Sequence, residues 1–175
     1  VNGEITPLAA MQLHQIEKER ERYTAIGLDA IRQGKVAAVL LAGGMGTRLG
    51  SDEPKGMYDI GITREVYIFQ RLVENMLDVV RQADAWFHLF VMTSDKNHGM
   101  TVDFFEEKDY FGYRKEYVHF FEQDMVPASD YEGKVYMEEK WKIAMSPKGN
   151  GGWFSSMRKR GLLGVIEEAG IEWLN

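Results

Sequence analysis

The chain contains no cysteine. Disulfides are excluded, and a small secreted fold stapled by them is argued against. It has no run of 18 apolar residues, the shortest stretch that reads as a bilayer-spanning helix. Residues 1–7 show neither the basic region nor the apolar core of a secretory leader. A basic field is missing too. The 21 Lys and Arg stand against 27 Asp and Glu, a formal net charge of −6. That balance argues against a general nucleic-acid or membrane surface. It does not exclude a phosphate-bearing ligand, because a local cation acts over a few ångströms while distant acids are screened. Internal repeats and low-complexity segments are absent. These features fit a cytoplasmic protein with no nucleic-acid and no membrane partner.

The 175 residues, 45% of them apolar, suffice for one domain with a real core. Val36–Leu41 is a short apolar run without alternation, which suits a parallel strand covered on both faces. It breaks into glycine at Gly43, Gly44, Gly46 and Gly50. Such a backbone can take positive φ and approach a ligand closely, and its bare N–H groups make a concave anion site. Arg48 and Lys55 follow, which places positive charge beside that turn. No Gly-Lys-Ser/Thr closes the run, so it is not a Walker loop. Nor is it a sound dinucleotide fingerprint, since the third glycine of G-x-G-x-x-G would fall on Leu49.

Residues 7–34 read as helix, with a charge run over 17–22 that suits i,i+4 pairs, an interruption at Gly27 and a stop at Gly34. An amphipathic helix is expected over 66–80, where Val66, Phe69, Val73, Leu77 and Val80 share a face. Residues 85–93 read as a second buried strand, in which His88 is a core residue rather than a ligand. A helix over 100–108, a turn over 109–112 and a third strand over 117–121 follow. A small hairpin turns at Gly133, and a second glycine-rich loop spans 146–152. Helix then runs from 153 to 170, broken near Gly161 and Gly164, and a strand begins at Ile171. This alternation means α/β with a mostly parallel sheet. Right-handed crossovers bring the glycine loop, Thr93-Ser94, Gln123 and the Gly149 loop to one rim, where ligands bind in such sheets.

The spacing Leu-Ala-Gly-Gly-Met-Gly-Thr-Arg-Leu-Gly over 41–50, followed by Pro54-Lys55-Gly56, resembles the sugar-nucleotide pyrophosphorylases. Within them it is most similar to the eukaryotic-type UDP-N-acetylhexosamine and UDP-sugar pyrophosphorylases. Two later motifs match in the same order, residues 120–127 around Gln123 and residues 147–152 around Gly149-Asn150.

The resemblance implies a three-layer, Rossmann-like sheet of the nucleotide-diphospho-sugar transferase type, incomplete at its C-terminus. Residues 1–34 would be an N-terminal helical region packed on the core, and 35–175 the first portion of the UTP-binding domain. It implies uridylyl transfer, in which a sugar-1-phosphate oxygen attacks the α-phosphorus of UTP and pyrophosphate leaves. N-acetylglucosamine-1-phosphate is the expected sugar substrate. Arg48 and Lys55 carry over as the catalytic cations. Leu41, Ala42, Gly43, Gly44, Lys55, Gln123 and Gly149 carry over as UTP contacts, and Asn150 as a sugar contact. Mg²⁺ is the implied cofactor, with its acidic ligand beyond residue 175 and no metal ligand within the chain. The stretch is therefore expected to be a truncated, inactive UTP-binding part, prone to self-association through an unfinished sheet. Met45, Glu122, Asp124 and Lys148 depart from the family pattern. A non-catalytic nucleotide-binding module and a dinucleotide-binding domain stay open as rivals.

Overall fold

The computed structural model describes Gly3 and residues 6–175. Residues 1, 2, 4 and 5, which open the expected N-terminal helical region, lie outside the described residues. Residues 6–12 are exposed and not helical. The first helix, α1 (Leu13–Lys18), begins where the Gln15 side chain accepts the Gln12 N–H at 2.7 Å. Glu19 steps out of helical geometry, and α2 (Arg20–Arg32) follows. The break thus falls at Glu19 and not at Gly27, which lies inside α2. Ion pairs Glu17–Arg20 (2.5 Å) and Glu19–Arg22 (3.2 Å), both i,i+3, bracket the step. Gly27 costs a helix about 1 kcal/mol relative to alanine. That cost is offset where Ile31 packs on the core and Arg32 donates to the Ala83 carbonyl at 3.1 Å. Gly34, at φ 72°, stops the helix as expected.

β1 (Val36–Leu41) leads into the glycine loop. The next helix, α3 (Ile68–Ala83), starts two residues later than its periodicity suggests. Asp59 explains this: its carboxylate accepts the Gly61 and Val66 N–H groups at 2.8 and 2.9 Å and holds the preceding loop. β2 (His88–Thr93) is shorter than the apolar run from 85, because the Phe87 carbonyl accepts the Tyr113 hydroxyl at 2.7 Å instead of joining a ladder. α4 (His98–Glu107) leads to a turn, Asp109–Gly112, and then to β3 (Val118–Glu122). That turn is left-handed at four successive residues, three of them not glycine: Asp109, Tyr110 and Phe111 have φ of 47°, 51° and 54°.

An excursion of four short strands follows where the sequence predicts a small hairpin and a glycine-rich loop. β4 (Met125–Pro127), β5 (Met137–Glu139), β6 (Lys142–Ile143) and β7 (Met145–Pro147) form two small antiparallel pairs, β4 with β7 and β5 with β6. The hairpin turns at Gly133 (φ 84°), where Asp130 accepts the Lys134 N–H at 2.8 Å. α5 (Trp153–Lys159) and α6 (Leu163–Ala169) are divided at Gly161, φ 76°. Gly164 lies within α6 and breaks nothing. β8 (Trp173–Leu174) closes the order β3-β2-β1-β8, all parallel.

Helices cover both faces of this sheet. Leu89 and Val91 face one core with Phe69 and Val73 of α3 and Phe104 and Phe105 of α4. Ala37, Phe90, Met92 and Phe121 face a second core with Met157 of α5 and Ile171. β2 is apolar on both faces because both are covered. Each fully buried ring, such as Phe90 or Phe105, contributes about 1.5–3 kcal/mol of transfer free energy. The three-layer α/β architecture is therefore the observed one. Among the described residues, no helix is long and apolar enough to cross a membrane.

His88 is half-buried at the start of β2, the end of the strand away from the glycine loop. Its Nδ1 lies 2.8 Å from Nε2 of His119 on β3, and one ring donates to the other. Burial lowers the pKa of both, and for His119 the neighbouring His88 adds to it.

Candidate functional site

A cleft of about 470 Å³ opens at the carboxyl ends of β1 and β3. Leu41, Ala42, Gly43 and Gly44 form one wall, and Gln123, Pro147, Gly149 and Asn150 the other. Lys55 and Gly56 stand at its side, with Phe69 of α3 beneath them. Five segments, drawn from residues 40 to 150, thus meet in one cavity. Every expected contact residue except Arg48 lines it.

The glycine loop is held by its own neighbour in sequence. Met45 pairs with Pro54 in an antiparallel bridge. Gly46 N–H donates to Glu53 O at 2.8 Å, and Lys55 N–H to Gly44 O at 3.1 Å. The Pro-Lys-Gly segment is thereby folded onto the loop, and Lys55 is carried to the cleft. Gly56 is buried, and a Cβ there would collide with the Phe69 ring. The third residue of this motif is a packing glycine. Asp52 and Glu53 are exposed on the same loop.

Arg48 lies on the short turn Thr47–Leu49, exposed to solvent, and does not line the cleft. It is placed on the glycine loop but outside the cavity that gathers the other residues.

Gln123 directly follows β3 and is 7% exposed, with its N–H donating to Thr93 O at 2.8 Å. Its carboxamide rests on Gly43, where any Cβ would stand 2.6 Å from Nε2. Glu122 and Asp124, the acids flanking it, face away from the cleft. They pair with Arg160 at 2.9 Å and Lys159 at 2.7 Å at the end of α5. Ser156 of α5 accepts the Asp124 N–H at 2.8 Å and donates to Gly152 O at 3.0 Å. The two loops of this wall are therefore tied to one helix. Gly149 sits at φ 84°, ψ 174°, a conformation open essentially to glycine alone.

Sequence reading missed Asn97. It is fully buried, and its Nδ2 donates to Ala42 O at 2.9 Å. Its signal was a polar residue just past a strand, indistinguishable there from an ordinary loop. A second, smaller lobe of about 220 Å³ continues behind Gly43 and Gln123, lined by Met45, Ser94, Asp95, Lys96 and Met125 among others.

The cavity can hold a flat polar ring against Gln123 and anionic groups near Lys55. It does not suit a divalent cation. No carboxylate lines the main cleft, Asp95 is the single acid on the smaller lobe, and among the described residues no group of three or more His, Asp or Glu side chains could hold a metal. The residues present therefore do not fit the Mg²⁺ that the resemblance implies.

The model of the UTP–glucose-1-phosphate uridylyltransferase family matches residues 3–175. A UDP-N-acetylglucosamine pyrophosphorylase of Saccharomyces cerevisiae is 36% identical over 97% of this chain and 37% of its own length. UDP-N-acetylglucosamine diphosphorylase 2 of Arabidopsis thaliana is 35% identical over 91% of this chain and 34% of its own. Among solved structures, the uridine diphosphate N-acetylglucosamine pyrophosphorylase of Trypanosoma brucei superposes with a TM-score of 0.76 at 36% identity, over 83% of this chain and 30% of that one. The chain thus spans little more than a third of the length of the curated relatives it matches. With a parallel sheet, a glycine-loop cleft and a family match across almost all its residues, the chain belongs to the UTP–glucose-1-phosphate uridylyltransferase family.

Proposed function

We propose that this chain is the UTP-binding part of a UDP-sugar pyrophosphorylase that joins UTP to N-acetylglucosamine-1-phosphate. One observation carries the proposal: the glycine loop, Lys55, Gln123, Gly149 and Asn150 line a single cleft. The names of the yeast and Arabidopsis relatives support the sugar.

In that role the sugar-phosphate oxygen forms a bond to the α-phosphorus of UTP. The bond from that phosphorus to the bridging oxygen breaks, and pyrophosphate leaves with the electron pair. Such a displacement needs in-line placement and positive charge where negative charge develops. Gln123 presents both a donor and an acceptor, which suits the imide edge of uracil. Gly149 leaves its backbone free to approach the base, and Asn150 faces the sugar phosphate. Lys55 supplies a point charge to the phosphates. Arg48, on the glycine loop outside the cavity, takes the role of clamp on the triphosphate oxygens, which its guanidinium fork suits. In the complete enzyme Mg²⁺ would offset phosphate charge, held by acids outside the described residues.

A second reading is a nucleotide-binding module without turnover of its own. The carboxylate-free lining of the cleft favours it for these residues. Calorimetry with UTP, ATP and NAD tests the shared core of both readings. UTP is expected to bind most tightly, and tighter NAD binding overturns both. Pyrophosphate release from UTP and N-acetylglucosamine-1-phosphate separates them. The first reading expects little from this chain alone and restoration by the rest of a relative's chain. Failure of any such complement leaves the second.

A further inference from the structure

Two carbonyls of the glycine loop converge on one buried amide. Asn97 Nδ2 donates to Ala42 O at 2.9 Å and to Gly44 O at 3.4 Å, while its Oδ1 accepts the Ser94 N–H at 2.8 Å. The side chain is wholly buried, so these bonds have no competing water. Ala42 is fixed at its other end too, its N–H donating to Met92 O at 2.7 Å. Gly44 O also accepts from Lys55 N–H.

The direction of these carbonyls has a consequence for the groups that follow them. A trans peptide is planar, and its N–H points opposite to its C=O. Turning Ala42 O and Gly44 O toward Asn97 turns the N–H groups of Gly43 and Met45 the other way. Among the described residues, neither N–H has a backbone acceptor. Gly43 lines the main cleft and the smaller lobe, and Met45 lines the lobe. Two N–H groups at alternate residues, aimed alike, form a concave anion site.

We infer that Asn97 is a positioning residue: it aims the Gly43 and Met45 N–H groups at an anionic phosphate group of the nucleotide. It touches no ligand itself. Granted the UTP assignment proposed above, on which this one rests, Asn97 sets how well the loop receives the phosphate chain. Gln123 touches Gly43 but is anchored independently of Asn97, by its own N–H to Thr93 O.

The test uses the full chain and UTP, followed by calorimetry and by backbone amide resonances. In the unaltered protein, UTP is expected to shift Gly43, Met45 and Gln123. Asn97→Ala should weaken UTP about tenfold and abolish the Gly43 and Met45 shifts while the Gln123 shift persists. Asn97→Asp keeps the acceptor for Ser94 but loses the donor, and should show the same pattern. Tyr113→Phe removes a buried hydrogen bond at the other end of β2. It should lower thermal stability without changing UTP affinity, which separates positioning from general loosening. The inference is overturned if either Asn97 variant binds UTP as the unaltered chain does. It is equally overturned if UTP moves Gln123 but leaves Gly43 and Met45 unmoved in the unaltered chain, a result that needs no variant to fold. If UTP moves no resonance at all, the UTP assignment itself fails and takes this one with it.

Discussion

The Gln123 carboxamide nitrogen stands 2.6 Å from the point that a Cβ on Gly43 would occupy. Opposite walls of the cleft therefore touch through a glycine and an amide. In Gly43→Ala the amide must swing aside, which the free end of a flexible side chain does at small cost to the fold. UTP affinity should fall about tenfold with a loss of stability under about 1 kcal/mol. Calorimetry and a denaturant midpoint on the same variant read the two effects separately.

Gly56→Ala should behave in the opposite way. The added methyl meets the ring of Phe69, a core residue that is 2% exposed and packed against Phe105. Overpacking at such a site costs roughly 2–3 kcal/mol. Urea unfolding should show that loss, and a midpoint equal to that of the unaltered chain would show that the ring has room to move.

Lys55 and Arg48 are both exposed, so removing either should leave the fold intact. Lys55→Ala should weaken UTP about tenfold while uridine, which lacks phosphates, changes less than twofold. Arg48→Ala should do less, because Arg48 lies outside the cavity. Equal loss of uridine and UTP in Lys55→Ala would place the lysine away from the phosphates.

The His88–His119 pair predicts the acid side of the stability curve. Burial lowers both pKa values in the folded state, so the unfolded chain takes up protons first as pH falls. Stability is fully present above the ordinary histidine value of about 6.5 and declines below it. The slope reaches at most about 1.4 kcal/mol per pH unit for each proton. Melting temperatures from pH 7.5 to 5.5 should fall, and His119→Gln, which keeps a hydrogen-bonding partner, should flatten the profile.

At the left-handed turn, Asp109 is exposed at φ 47°. Side chains with a Cβ resist this conformation by roughly 1–2 kcal/mol. Asp109→Gly should therefore stabilise the chain by about 0.5–1 kcal/mol, the greater freedom of glycine in the unfolded chain taking back the rest. A thermal melt checks the sign.

Much of this architecture was legible because its signals are local. The three long strands announce themselves as short apolar runs, and Gly34, Gly133 and Gly161 sit where the backbone turns left-handed. The residues lining the cleft were legible as spaced motifs. What escaped depends on partners distant in sequence. Glu122 and Asp124 stand out in the sequence only as departures from the family pattern, and their partners Arg160 and Lys159 lie more than thirty residues away. Strands β5 and β6 are short and exposed along their length, so no periodicity marks them. Gly27 read as an interruption because the bond from Arg32 to the end of α3 cannot be inferred from spacing. The left-handed run at 109–111 carries no glycine until Gly112, so nothing in its residues warned of it.

β2 is buried from Leu89 to Thr93, with one core above it and another below. In a strand with one wet face, a slip by one residue is forbidden because it drives the apolar side chains into water. Here Phe90 and Met92 could trade places with Leu89 and Val91 and remain dry. Alignment must be enforced by groups that cannot be exchanged. The Thr93 hydroxyl, donating to Phe121 O at 3.1 Å, is such a group, because no other side chain of β2 could take its place. The polar tip of β2 beside the cleft thus also keeps the central ladder in step, so altering that tip risks the sheet as well as the cavity.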